Sequence, residues 1–109
     1  MKQYPVIVTD AASHDLDDIF VYLVDHESVE RAGYVVARLE QAILRLDILP
    51  NRGAHPKELL EMGNRAFREI HFNPYRIVYQ VREREVVVHL IADGRRDMRT
   101  LLARRLLGA

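Results

Sequence analysis

The sequence predicts an α+β fold: an N-terminal strand, an antiparallel helical hairpin packed on a small, mainly antiparallel sheet (β-α-α-β-β-β), and a short C-terminal helix. Three observations carry this. Apolar residues recur with helical spacing from Leu16 to Leu46, and after Gly63-Asn64 the pattern changes to short β-rich runs. The third is the shortness of the connections, which forces neighbouring elements to run antiparallel.

Taken in order, Tyr4-Pro5-Val6-Ile7-Val8-Thr9 is short and β-branched and reads as the first strand. Thr9 or Asp10 can cap the helix that follows, where Leu16, Ile19, Phe20 and Leu23 form one apolar stripe. Ser28 can cap a second helix, with Ala32, Val35, Val36, Leu39, Ala42, Ile43 and Leu46 on its stripe. Pro50 ends it, and Asn51-Arg52-Gly53 supplies turn chemistry. Three strands then follow, Phe67 to Phe72, Tyr75 to Val81 and Glu85 to Ala92, joined by Asn73-Pro74 and Arg82-Glu83-Arg84 as hairpin turns. Asp93-Gly94 breaks the last strand. Met98, Leu101, Leu102 and Leu106 give a short amphipathic helix, begun by Asp97 and stopped by Gly108.

With 109 residues, residues 1–109 are expected to form one domain. Cysteine is absent, which excludes disulfides, thiolate metal sites and cysteine nucleophiles. The run Val86 to Ala92, apolar but for His89, is far short of the ~18–20 residues of a membrane span. The first residues, Met1-Lys2-Gln3-Tyr4-Pro5, lack a signal peptide's apolar core, so the expected location is the cytoplasm.

The net charge of zero is a cancellation. Residues 1–64 hold six basic groups against eleven acidic ones, a balance of −5, and residues 65–109 hold ten arginines against five acids, a balance of +5. Such asymmetry implies an acidic face, a basic face, and a partner or self-association.

Little conventional chemistry is legible. His14, His26, His55, His71 and His89 lack metal-ligand spacing, although His71 and His89 lie on strands that could bring them together. Asp15, Asp17 and Asp18 point in different directions round the first helix and read as a solvated face. Ser13 and Ser28 sit at helix starts, where capping accounts for them. No metal, cofactor or catalytic residue is expected. The remaining candidates are arginines: Arg68 and Arg76 on adjacent strands, and Arg95-Arg96 after the last. Their rigid forks suit carboxylates or phosphates. The alternative is internal pairing of Arg68 and Arg76 with Glu69, Asp93 or Asp97, fixing the sheet edge.

Phe67-Arg68-Glu69-Ile70, the strand Tyr75 to Val81 and the ending Gly94-Arg95-Arg96-Asp97 resemble the RelE/ParE superfamily of bacterial toxins. The upstream residues extend the resemblance: Ala12 before Asp15-Leu16-x-x-Ile19-x-x-Tyr22, then Leu49-Pro50 and Gly53, so that it covers about residues 4–103. It implies the toxin of a type II toxin–antitoxin module, paired with a cognate ParD-like antitoxin and free to form a homodimer or a toxin–antitoxin hetero-oligomer. RelE-like members cut messenger RNA on the ribosome. ParE-like members poison DNA gyrase, and some relatives are known as plasmid-stabilisation proteins. Arg76 and Arg96 match arginine positions of the RelE-like nucleases. The lysines those enzymes place on the first meander strand are here Arg68 and Ile70-His71, and a tyrosine of their last helix is replaced by Leu101-Leu102. Proton transfer would fall to His71, Glu69 or His89, because an always-protonated arginine is a poor acid or base. The acidic hairpin and the Arg-Arg-Asp ending fit the ParE branch, so a gyrase-binding toxin is expected. An endoribonuclease, or a remnant that binds antitoxin without toxicity, is the alternative. The expected contact residues for target or antitoxin are Arg68, Arg76, Arg95 and Arg96, around an apolar cleft between hairpin and sheet.

Overall fold

The computed structural model describes residues 3–108. Strand β1 (Val6–Val8) leads into helix α1 (Asp10–His26) and helix α2 (Val29–Leu44), which tightens into a 3-10 turn at Arg45–Asp47. A short helix α3 (Lys57–Glu61) precedes strands β2 (Arg68–Phe72), β3 (Tyr75–Arg82) and β4 (Glu85–Asp93), and helix α4 (Met98–Leu106) follows. The four strands lie in the order β1-β4-β3-β2, with β1 parallel to β4 and the others antiparallel. No helix among the described residues is long and apolar enough to cross a membrane.

The helix starts follow the capping rules. Thr9 Oγ1 accepts from the Ala12 amide at 3.1 Å, and Ser28 Oγ accepts from the Arg31 amide at 2.9 Å. Ser13 is not a cap; it lies exposed within the first turn of α1. Asp97 starts α4, accepting from both the amide and the hydroxyl of Thr100. Helix α2 ends at Leu44, six residues before Pro50, because its last turn narrows to 3-10 geometry as helix ends commonly do.

The hairpin covers one sheet face. Leu23, Val35, Leu39, Ile43 and Leu46 pack there against Ile70, Ile77, Tyr79, Val86, Val88 and Ile91. The opposite face has its own core, in which Leu59 of α3 and Met98 and Leu102 of α4 meet Phe67, Val78, Leu90 and Ala92. Helix α3 was not expected from periodicity, since five residues are too few to show any. A signal did exist: the run Val86 to Ala92, apolar on successive residues but for His89, is what a strand buried on both faces looks like.

A β-bulge makes the two-faced packing work. Val78 aligns with Leu90 but Tyr79 aligns with Val88, so His89 is the extra residue. The insertion reverses the alternation of β4, and both Val88 and Ile91 reach the hairpin side while Leu90 and Ala92 reach the other. Gly53 closes the loop onto this sheet. A Cβ there would lie 2.5 Å from the Glu69 carbonyl oxygen and 2.7 Å from the Tyr79 hydroxyl, to which the Gly53 amide donates at 3.0 Å.

Candidate functional site

The four arginines singled out from the sequence divide into two pairs. Arg76, the second residue of β3, faces α3. Its Nη1 and Nη2 donate to the two carboxylate oxygens of Glu58 at 2.9 and 2.8 Å, and its Nε donates to Glu69 at 2.7 Å. The Arg76 side chain is only 11% exposed. The bidentate fork holds the Glu58 carboxyl down to about 2 against the opposing effect of burial, while the carboxylates raise the Arg76 guanidinium further above its ordinary value. Glu69 uses its second oxygen on exposed His71, 3.3 Å away. Arg68 is also tied inward, donating to the backbone oxygens of Gly53 at 2.7 Å and Asn51 at 3.3 Å. The sequence offered Glu69 as a partner for Arg76; Glu58 stayed hidden because nothing placed α3 beneath the sheet.

Arg95 and Arg96 stand at the surface, in the turn after β4. Arg95 pairs with Asp93 two residues before it, at 2.6 Å, with its side chain still 78% exposed. That contact lowers the Asp93 carboxyl below its ordinary value. Gly94 links the two pairs: a Cβ on it would lie 2.8 Å from Arg76 Cδ and 3.2 Å from the Pro74 carbonyl oxygen. The turn can therefore fold down over the arginine stem only with glycine at this position.

Beside the turn is a groove of about 560 Å³ between the hairpin and the ends of β3 and β4. Ile19, Tyr22, Leu23, Val35, Tyr75 and Ile91 supply apolar surface, and Arg31, Arg95 and Arg96 are among its charged lining residues. Asp15, Asp18, Glu27 and Asp93 give it acidic character as well. Tyr22 stacks on His26 with ring centroids 4.0 Å apart, and burial raises the Tyr75 hydroxyl above its usual value. Arg68 and Arg76 are not among the groove's lining residues.

Asp15 does not sit on a solvated face as expected. Its carboxylate accepts the Ile91 amide at 2.9 Å and both terminal nitrogens of Arg105, at 2.9 and 3.0 Å. The cause is the shortness of β1, which pairs with β4 only as far as Val88 and leaves the Ile91 amide needing an acceptor. Asp17 and Asp18 are exposed, as read. His71 and His89 do not meet, because β3 lies between their strands and His71 aligns with Arg76, beyond the bulge. His89 instead turns its ring edge-on to Phe67, and its Nε2 is buried without a hydrogen-bond partner among the described residues. Burial, with smaller contributions from Arg82 and Arg105, lowers the basicity of this imidazole.

Residues 6–98 match the family described as the ParE toxin of the type II toxin–antitoxin system parDE. The chain belongs to the ParE toxin family. This ParE-family chain is 29% identical over 100 residues to Toxin ParE3 of Caulobacter vibrioides, covering 92% of this chain and 96% of that protein. Its fold is shared with a chain of the chromosomal ParDE toxin–antitoxin system from P. aeruginosa, at a TM-score of 0.70, 20% identity and coverage of 84% and 96% of the two chains. It is shared also with a chain of the toxin–antitoxin complex RelBE2 from Mycobacterium tuberculosis, at a TM-score of 0.61 and 18% identity, covering 85% and 93%. The expected superfamily, its ParE branch and the α+β architecture are thus all found.

Proposed function

We propose that this ParE-family toxin acts by binding rather than by cutting, with DNA gyrase as its target and a cognate antitoxin as its inhibitor. The observation that carries the reading is the state of Arg76. Its guanidinium makes three hydrogen bonds to Glu58 and Glu69, and the two carboxylates would repel a phosphate that approached it. A ribonuclease needs that surface to hold a developing negative charge. The exposed cations, Arg95 (paired only with Asp93) and Arg96, instead line a groove of mixed apolar and charged surface, of a size that suits a side chain or peptide segment. An antitoxin segment that orders on binding would place apolar residues against Ile19, Leu23 and Tyr75 and acidic ones against Arg31, Arg95 and Arg96.

Purified gyrase is expected to lose supercoiling activity with stoichiometric toxin and to regain it when antitoxin is added. Undiminished supercoiling at a molar excess of toxin would remove gyrase as the target. One observation favours the nuclease alternative: exposed His71 lies beside the Glu69 carboxylate, which could orient it as a base. Primer extension on translated messages separates the two, because codon-internal cuts that disappear in His71→Ala would belong only to an endoribonuclease.

A further inference from the structure

The half of the chain with a balance of −5 is not acidic on every surface. Helix α1 carries Asp10, Asp15, Asp17, Asp18 and Asp25 without a lysine or arginine. Helix α2 is different. Arg31, Tyr34, Arg38 and Gln41 recur at intervals of three and four residues on one exposed face, and Arg45 continues the row into the 3-10 turn. The guanidinium of Arg31 lies 5.6 Å from the Tyr34 ring centroid, and that of Arg38 lies 5.9 Å from Tyr34 and 5.4 Å from Phe72. Arg31 has a loose contact with Glu27 at 3.7 Å, whereas the described residues place no carboxylate within ion-pairing reach of Arg38 or Arg45.

We propose that this face of α2 is a binding site for the phosphate backbone of duplex DNA. An arginine positioned by an aromatic ring keeps its N–H edge free for an anion, unlike Arg76, whose donors are occupied by carboxylates. Arg31 and Arg38 are seven residues apart, about 10 Å along the helix axis at 1.5 Å per residue. That spans roughly three steps of a B-form strand, whose phosphates rise ~3.4 Å each. Forks at a fixed interval on a rigid helix fit evenly spaced charges better than the irregular charges of an acidic peptide. A single strand is a poorer fit, because the rings that would stack bases already carry guanidinium groups. This proposal does not depend on the identity of the toxin's protein target.

The test is the fluorescence anisotropy of a labelled 20-base-pair DNA duplex with the full chain, titrated from about 50 to 200 mM salt. Three phosphate contacts predict a slope of log K against log salt of about −2.7, from roughly −0.9 per contact. Arg38→Gln/Arg45→Gln is expected to weaken binding about tenfold or more at low salt and to reduce the slope to about −0.9. Arg31 is kept in this variant because it also lines the groove. Arg99→Gln/Arg104→Gln makes the same charge change on α4, across the sheet, and is expected to leave affinity and slope as they were. The proposal is overturned if the wild-type chain shows no salt-dependent binding, or if the α2 variant binds like wild type. It is also overturned if the α4 variant loses as much as the α2 variant. Binding of polyglutamate, a single strand or an RNA duplex as tightly as the DNA duplex would assign the face to a different occupant.

Discussion

Two arginine corners meet at Gly94. Beneath it Arg76 is shut between Glu58 and Glu69, and beyond it Arg95 and Arg96 stand in solvent beside the groove. The residue type is the same and the positions are close, yet one corner holds the fold together and the other can recognise a partner. The difference is the number of carboxylates each arginine meets. Arg76 faces two nearly buried ones, which would be unstable without it; Arg95 meets only Asp93, at the surface, where ion pairing is worth little.

The most direct way to break this contrast is Arg76→Ala, which leaves Glu58 and Glu69 buried together without a cation. Removing one partner from such a cluster costs about 3–5 kcal/mol, and the thermal midpoint should fall by about 10 °C or more in calorimetry. Arg76→Lys should recover only part of this, since an ammonium cannot reproduce the bidentate fork.

Acid should act on the same corner. The Glu58 carboxyl, at about 2 in the folded chain against 4.5 ordinarily, binds its proton more readily when unfolded. Its contribution is therefore fully present above pH 4.5 and is lost as the pH falls towards 2. Urea titrations across that window should show a loss on the order of 3 kcal/mol that Glu58→Gln removes, the variant being less stable from the outset.

A smaller effect is expected at the bulge. His89 is less basic folded than unfolded, with Arg82 and Arg105 adding to the effect of burial. The unfolded chain takes up the proton first, so stability is constant above about pH 6.5 and declines below it, by at most about 1.4 kcal/mol per pH unit. His89→Leu should flatten the pH 5–7 region while leaving the Glu58 transition in place.

The smallest effect on folding belongs to the open corner. Arg96→Ala and Arg95→Ala should leave the thermal midpoint essentially where it is, because neither side chain carries packing. Calorimetric titration with the antitoxin should nonetheless show affinity falling about tenfold or more for each. Equal losses of stability at Arg76 and Arg96 would erase the distinction between the corners.

Much of the architecture was legible because it follows from local rules. The caps at Thr9 and Ser28, the turn at Asn73-Pro74 and the three short β-rich runs depend on residues within a few positions of one another. The arginine site was legible only as a list. Arg76 and Arg96 look alike in the sequence because what separates them is Glu58, 18 residues from Arg76, on a helix too short to announce itself. The basic row on α2 was hidden by summation, since Arg31, Arg38 and Arg45 were counted with the aspartates of α1.

The sequence by itself therefore determined the type and order of every element but α3, the family, and the opposition of a −5 half to a +5 half. Only the tertiary structure decided which charges are neutralised. It closed Arg76 and Asp15 into internal pairs, left Arg95 and Arg96 at the groove, and divided the acidic half into an acidic α1 and a basic face of α2. The physical reason is range. Backbone preference is set by near neighbours along the chain, whereas a charge is answered by whatever folding brings within a few ångströms of it.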